Sequence, residues 1–384
     1  MGVVDIQGKL RLALGSVKDH ASIGKAMIMY DGFSSIEIAV LKATAHNNDT
    51  NSIHDRHMHE ILFLVSNSGP GSIPFLAEKL SRRLHKTKDR LVALKALVLI
   101  HRLLRGGNRR FEQELCRARF SGHLQIGTRF GSDRFLHKYA SYLEERMNWV
   151  INQAGRLEPI VSNKGLIEFR RYDEKCVDMV FRTLPKCQVL LDRVLDCDIN
   201  VVLPCNNNNN EQYGFMTRVA AMSNTLRESF QVYTTFAEGV AVLVNMLFDL
   251  TESARGLACD ILRKASIQSR KLHDLYQNCK KIVEINSKNL EFPCVEIISM
   301  DHIMALDQCL RNDGRMISKA PSSCDRISEV EKVAKAGKRK SYNKNSSSNV
   351  EEKKMDMNLT PSAFLSWTLE TKISKDFVKV MRVY

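Results

Sequence analysis

Residues 217–250 show the clearest hydrophobic pattern in the chain. Apolar side chains recur there at steps of three and four residues, the spacing that places them on one face of an α-helix. The bulky aromatic residues among them favour packing inside a helical domain over a coiled coil. The pattern therefore predicts a long core helix with an inward face made of Val219, Met222, Leu226, Phe230, Tyr233, Ala237, Val240, Val244 and Leu247.

A second helix is predicted from Arg90 to Arg105, where the sequence is apolar almost all round. Such a helix is expected at the centre of a domain, and the following Gly106-Gly107 is a typical helix end. Alternating strand-like runs are nearly absent, so the predicted fold class is all-α. Further helical patterns cover Ser34–Ala45, Arg56–Ser66, Ile73–Leu84, Phe135–Val150, Lys175–Leu195 and Ala254–Ile285.

The order of these helices predicts one main domain with a segment on either side. Short loops between amphipathic helices favour a right-handed stacked-helix array extended by long C-terminal helices, and no fixed-period repeat is present. We expect an amphipathic segment at residues 1–20, a helical domain at 21–310, and a basic, Ser-rich tail at 311–384. The tail composition predicts disorder, and the asparagine-rich stretch near 205–214 predicts a polar loop.

The N-terminal segment has one apolar face with basic residues beside it. Ile6, Leu10 and Leu14 on that face are candidates for insertion into a membrane. Gly8 and Gly15 weaken the helix in isolation. Two alternatives stay open, folding on contact with a bilayer and packing on the domain. The face comprises Val3, Ile6, Leu10, Ala13, Leu14 and Val17, with Lys9, Arg11 and Lys18 available for lipid phosphates.

The net charge and the cysteine content limit the kinds of partner and compartment that the chain is expected to have. The formal net charge of +14 favours an anionic partner, either nucleic acid or a membrane surface. The ten cysteines include no Cys-x-x-Cys pair, which argues against a zinc site and fits a reduced, cytosolic protein. No secretory signal and no continuous apolar run long enough to span a membrane is found, so we expect a cytosolic protein.

The stretch from Lys42 to Leu62 concentrates four histidines, a lysine and an arginine around a polar bend. His54, His57 and the neighbouring His59 could bind zinc, but no motif marks a further ligand. The adjacent pair His54-Asp55 is similar to the centre of all-α metal-dependent phosphohydrolases, for which His20 and Asp89 are nominal partners. Neither pattern is specific, so we expect no metal, no cofactor and no catalytic residues.

A phosphate site is the third interpretation of this bend. Lys42 closes one predicted helix, and the next begins near His54, which places Lys42, His54, Arg56 and His57 around one corner. Helix N-terminal amides face the same solvent. Lysine and arginine bind multiply charged phosphates, and histidine joins them when it is protonated.

Five ordered blocks over about residues 1–300 resemble the ANTH-domain family of clathrin-assembly adaptors, with the plant branch the nearer match. The first two blocks, Lys-Ala-Thr-x-His (Lys42 to His46) and the His54–His57 run, together resemble the family's phosphoinositide-binding signature. VALKALVLIHRLLRGGNRRF resembles the family's central helix and the turn after it. FLHKYASYLEERM and LRESFQVYTTFAEGVAVLVNMLFDL resemble two later helices.

The resemblance implies a non-enzymatic membrane adaptor with an ENTH/ANTH-like fold. It implies binding of phosphatidylinositol 4,5-bisphosphate through Lys42, His54, Arg56 and His57, clathrin coat assembly and endocytosis, and for some members SNARE proteins as cargo. The implied locations are the cytosol and the cytoplasmic face of membranes, in clathrin-coated pits and vesicles at the plasma membrane, with the Golgi as a second site. The alternative function is that of an all-helical, basic nucleic-acid-binding protein, but no nucleic-acid motif is present.

Two features of the sequence depart from the family pattern. His54 stands where the family usually has lysine, and the loop between His46 and His54 is longer than usual, so head-group binding is expected to be weaker or pH-dependent. The short tail lacks Asn-Pro-Phe, Asp-Pro-Phe and a clear clathrin-box motif. The segment Phe364–Glu370 only loosely resembles such a box. Lipid binding is therefore better supported by the sequence than coat assembly.

Overall fold

The computed structural model describes residues 3–28, 32–46, 55–127, 130, 133–151, 157–159, 174–197, 214–283 and 292–317. Within these ranges the chain is almost entirely helical, which confirms the all-α prediction. The helices are α1 (Val3–Ile28), α2 (Ser34–Ala43), α3 (Asp55–Asn67), α4 (Ser72–Lys86), α5 (Arg90–Gly106), α6 (Arg109–Phe120), α7 (Arg134–Arg146), α8 (Glu174–Asp196), α9 (Phe215–Met246), α10 (Glu252–Val283) and α11 (Met300–Ile317), and the strands are β1 (Trp149–Ile151) and β2 (Leu157–Pro159).

Helix α5 forms the centre of the array, as its sequence predicted. Every residue from Leu91 to His101 is buried, and α5 packs against α3, α4, α6, α7 and α9. Its start is defined by Asp89, whose carboxylate accepts hydrogen bonds from the backbone amides of Leu91 and Val92. This N-cap satisfies amides that a helix leaves without an internal partner. An almost wholly apolar helix is thus positioned by one polar residue at its end.

The remaining helices pack on one another largely in chain order. Helix α2 packs on α3 and α4, α4 packs on α6, and α7 packs on α8, which also contacts α9 and α10. The apolar face predicted for α9 points inward, with Val219, Leu226 and Val240 buried. Burial of these side chains contributes about 1.5–3 kcal/mol each to stability, before the entropy cost of folding.

Five elements differ from the sequence prediction: the helices α6, α7 and α11 and the two strands. Helix α7 ends at Arg146 instead of Val150, and Trp149–Ile151 forms β1, paired antiparallel with β2. The physical reason is a pair of buried hydrogen bonds between charged side chains and the backbone. Arg146 donates to the carbonyl of Trp149, and Glu112 accepts from the amide of Ile151. These bonds hold the backbone extended. Helices α6 and α11 were not predicted.

A buried charge network connects α5, α6, α7 and α9. The Arg146 guanidinium, fully buried, donates to Glu228 at 3.0 Å and to Glu112 at 2.6 Å. His101 Nε2 lies 2.9 Å from the same Glu228 oxygen, which also accepts from Tyr142 at 2.7 Å. Charged groups are buried only where such partners replace water. We call His101, Glu112, Arg146 and Glu228 the buried network.

The chain consists of two units, each with most of its contacts within itself: Met1–Cys309 and Leu310–Tyr384. The described part of the second unit is the end of α11, which extends to Ile317 and so into the predicted tail. The rest of that tail and nearly all of the predicted polar loop lie outside the described residues, so the predicted domain limits remain predictions. Within the described part of the chain, no helix combines the length and the apolar character needed to span a bilayer.

Candidate functional site

Three of the predicted site residues lie at the end of α2 and the start of α3, which together we call the α2–α3 corner: Lys42, Arg56 and His57. Lys42 is exposed in the last turn of α2, and Arg56 is exposed in the first turn of α3. Helix α4 runs parallel to α2, because Arg83 in its last turn reaches the carbonyl of Thr44 just after α2. Lys42 and Arg56 thus flank the segment that joins α2 to α3, and their approach to one ligand stays a prediction.

This corner is suited to an anion. The side chains of Lys42 and Arg56 have no hydrogen-bond or ion-pair partner among the residues that the structure describes. The first amides of α3 lack internal partners and carry the positive end of the helix dipole. An exposed cation in the first turn of a helix, as Arg56 is in α3, forms an arrangement that binds phosphate groups, and arginine is able to make two parallel hydrogen bonds.

The histidines of this stretch lie in different surroundings. His54 lies outside the described residues, so its predicted contact stays a prediction. The His57 side chain is only 16% exposed, and its Nδ1 atom is 3.7 Å from a carboxylate oxygen of Glu60. His59, which was not among the predicted contacts, is exposed one turn after Asp55. Lys42 and Arg56 are therefore more accessible to a ligand than His57 is.

The metal-dependent alternatives gain no support from the described residues. None of their His, Cys, Asp and Glu side chains form a group of three suited to a metal ion. Asp89, a nominal partner in the phosphohydrolase pattern, caps α5, and His20 is exposed on α1.

The chain leaving α2 is held by two basic side chains from other helices. Arg83 of α4 donates from Nε to the Thr44 hydroxyl at 3.0 Å and from its terminal nitrogen to the Thr44 carbonyl at 2.8 Å. The buried Lys95 of α5 donates to the carbonyl of Ala45 at 3.0 Å. Hydrogen bonds from charged donors are stronger than neutral ones. The two residues that follow α2 are therefore held in place by α4 and α5.

His46 is held from the other side, by α1. The backbone amide and Nδ1 of His46 both donate to one carboxylate oxygen of Asp19 at 2.8 Å, and Arg83 lies 2.9 Å from the other oxygen. Burial raises the pKa of the Asp19 carboxyl, but the hydrogen bonds from His46 and Arg83 outweigh it and lower the pKa from 3.8 to about 2. Asp19 is thus a charged anchor, and the sequence prediction did not include it.

Most of the chain matches a known protein family. The family model of the ANTH domain matches residues 35–312. The chain belongs to the ANTH-domain family. The resemblance predicted from the sequence is confirmed. The family consists of adaptors, so this ANTH protein is not an enzyme.

Relatives of this ANTH protein are found in Arabidopsis thaliana. "Putative clathrin assembly protein At1g33340" is 49% identical over 322 residues, which cover 81% of this chain and 82% of the relative. "Putative clathrin assembly protein At1g14910" is 31% identical over 326 residues, or 80% of this chain and 44% of the relative. A solved structure, "The ENTH domain from epsin-2 in complex with phosphatidylinositol 4,5-bisphosphate (PIP2)", is similar over 68% of this chain and 97% of that chain, with 16% identity and a TM-score of 0.45.

Helix α1 precedes the part of the chain that matches the ANTH family model. It packs on α2, with Gly15, Asp19 and Ala26 turned inward. The predicted insertion residues Leu10 and Leu14 are 59% and 56% exposed, on the opposite face. The side chain of Ile6 lies outside the described residues. An exposed apolar stripe on a helix that is also packed on the domain combines features of both alternatives left open by the sequence.

The basic run Ser81–Arg90 covers the end of α4, the turn after it and the first residue of α5. Arg82 is paired with Glu78, and Nδ1 of His85 donates to the Ser81 carbonyl at 2.8 Å. Part of the charge of this run is therefore neutralised by internal contacts, and part of it stabilises the C-terminus of α4.

Proposed function

We propose that this ANTH protein binds phosphoinositide head groups, above all that of phosphatidylinositol 4,5-bisphosphate, through Lys42, His54, Arg56 and His57. The observation that supports the proposal is the exposure of the Lys42 side chain at the end of α2 and of the Arg56 side chain at the start of α3, both without side-chain partners among the described residues. Unpaired cations at such a corner gain a charge-assisted partner when a phosphorylated head group arrives. The contribution of His54 rests on its place in the sequence signature.

We further propose that membrane binding by this chain promotes clathrin coat assembly during endocytosis. Two relatives that cover most of this chain are named as clathrin assembly proteins, which supports the proposal. Clathrin-coated pits and vesicles at the plasma membrane are the proposed location, with the Golgi as a second. We include SNARE proteins as cargo on the C-terminal helices, and only the resemblance to the family supports this part of the proposal.

The apolar stripe on α1 is proposed to enter the membrane beside the head-group site. Leu10 and Leu14 are exposed on the face of α1 that points away from the domain, which supports insertion. Leu10→Asp should weaken binding to phosphoinositide vesicles. Circular dichroism should show unchanged helicity, because Leu10 makes little contact with the core.

Liposome co-sedimentation with a panel of phosphoinositides tests the head-group proposal. All vesicles carry the same total negative charge, supplied either by one phosphoinositide or by phosphatidylserine. Preferential pelleting with phosphatidylinositol 4,5-bisphosphate is the expected result. Equal pelleting with every anionic lipid would reduce the site to a generic basic surface, and stronger binding to RNA or DNA at equal salt would favour the nucleic-acid alternative.

Clathrin assembly is tested separately on the same vesicles. Purified clathrin should pellet with phosphoinositide vesicles when the full chain is bound to them. Without the chain, clathrin should stay in solution. If clathrin does not pellet although the chain is bound, the protein is a membrane-binding adaptor without direct coat assembly.

A further inference from the structure

A niche on α1 receives the imidazole ring of His46. A Cβ atom placed on Gly15 would lie 2.5 Å from Cδ2 and 2.6 Å from Cγ of His46, closer than side chains approach one another. Asp19, one turn further along α1, accepts the two hydrogen bonds from His46. Gly15 and Asp19 are four residues apart and therefore lie on the same face of the helix. We call these two residues the socket.

The socket completes the support of three consecutive residues. Thr44 is held by Arg83 of α4, Ala45 by Lys95 of α5, and His46 by Asp19 of α1. These residues directly follow the turn that carries Lys42, and the segment leading to His54 begins immediately after them. Rotation of His46 away from α1 would release one of the three attachments and leave the buried Asp19 carboxylate without two of its donors, which is costly.

We propose that the socket makes α1 a positioning element of the head-group site. In this arrangement His46 does not touch the ligand; it fixes the end of α2, so that Lys42 in the last turn of α2 is held in one orientation towards the head group. The same contact sets the rotation of α1 about its axis and turns Leu10 and Leu14 outward. The inference rests on the proposed phosphoinositide binding and adds that α1 determines its strength.

Two glycines of α1 provide a matched pair of variants. Gly15→Ala inserts a methyl group into the position of the His46 ring, whereas a Cβ on Gly24 has no atom within 4 Å. Both changes favour the helix equally in propensity. Gly15→Ala should weaken binding to vesicles containing phosphatidylinositol 4,5-bisphosphate at least fivefold, and Gly24→Ala should stay within twofold of wild type. Binding is measured by co-sedimentation at 20 °C, after thermal unfolding confirms that each variant is folded at that temperature.

A double variant separates positioning from a general loss of stability. In a His46→Ala background the ring is absent, so adding Gly15→Ala should produce no further loss of affinity, whereas a general effect of the alanine would persist. Hydrogen exchange of the amides from Thr44 to His46 should accelerate in Gly15→Ala and not in Gly24→Ala, with or without lipid.

The outcomes distinguish the two proposals. If wild type binds the vesicles and Gly15→Ala binds as tightly as Gly24→Ala, the socket does not position the site and this inference is overturned. If the wild-type chain shows no phosphoinositide preference, the proposed function fails first, whatever the exchange data show.

Discussion

The buried network and the α2–α3 corner use the same kinds of charged residue under opposite conditions. In the buried network the Arg146 guanidinium donates to two carboxylates and to a carbonyl, and none of its surface is exposed. At the corner, Lys42 and Arg56 face solvent, and the described residues supply neither with a partner. A charge that is fully paired inside the protein has no capacity left for a ligand, whereas an exposed unpaired charge contributes little to stability and remains able to bind one.

The socket lies between these two extremes. Asp19 is buried and paired like the residues of the buried network, yet its partner His46 belongs to the signature that surrounds the corner. This comparison predicts that mutations in the network reduce stability, that mutations at the corner reduce binding, and that those in the socket affect both.

Arg146→Met should produce the largest change in stability. It removes one side of a buried ionic network and leaves Glu112 and Glu228 without their main cation, which costs about 3–5 kcal/mol of unfolding free energy. Urea unfolding at pH 7.5 measures the loss. Arg182→Met is the control, because Arg182 is 80% exposed and lies 3.9 Å from Asp178, and it should change the unfolding free energy by less than about 0.5 kcal/mol. Equal effects of the two variants would contradict the comparison.

Acid should weaken the buried network through His101. Burial lowers the pKa of the His101 imidazole below 6.5, and the nearby Glu228 carboxylate only partly offsets this. The unfolded chain therefore takes up a proton near pH 6.5, before the folded chain does. The stability that the folded chain gains by keeping His101 neutral is complete above pH 6.5 and is lost as the pH falls below that value.

The His101→Gln variant isolates this effect. Its unfolding free energy lacks the contribution of His101 to the pH slope, so the advantage of wild type over the variant should shrink by about 1 kcal/mol between pH 7.5 and pH 5.5. Urea unfolding of both proteins at the two pH values checks this. A constant difference would mean that His101 titrates equally in the folded and unfolded chains.

The smallest effect is expected at His54. A free imidazole titrates near pH 6.5, and a bound phosphate favours its protonated form. Phosphoinositide binding should therefore strengthen by a few-fold as the pH falls from 7.5 towards 6, and level off where the lipid phosphomonoesters lose charge.

Replacing His54 by lysine should raise affinity at pH 7.5 and flatten the profile, since lysine needs no extra proton. Co-sedimentation of both proteins at pH 7.5, 6.8 and 6.2 gives the two curves. A flat wild-type profile would show that His54 faces away from the head group and that the longer loop has displaced this half of the signature.

Much of the fold could be predicted because it depends on local periodicity. The apolar patterns of α5 and α9 are visible directly in the sequence, and so are those of most of the helices that pack on them. Helix α6 was missed because half of its residues are charged and its inward face is short, with Phe111 and Leu115 as its main apolar contacts. The early end of α7 was missed because it depends on Glu112, which is distant in sequence from Ile151.

The candidate site was only partly predictable for the same reason. Lys42 and Arg56 flank a recognisable helix end and helix start, so their exposure follows from local sequence. The socket joins Asp19 to His46, 27 residues apart, and no local pattern indicates that contact. From the sequence, Gly15 reads only as a residue that weakens a helix, whereas in the structure its missing side chain makes room for a ring.

The most direct test of the central claim is charge reversal at the corner. Lys42→Glu with Arg56→Glu is compared with Arg182→Glu with Lys186→Glu, which reverses two exposed basic residues on α8 and changes the net charge equally. Each basic residue near an anionic surface contributes about 1 kcal/mol to binding, so reversing the corner pair should cost about 2–4 kcal/mol, or about 30- to 1,000-fold in affinity for phosphatidylinositol 4,5-bisphosphate vesicles. The control pair should lose far less, and both proteins should unfold at the same urea concentration as wild type. Equal losses from the two pairs, or an unchanged affinity in the corner variant, would contradict the account and show that the corner is not the head-group site.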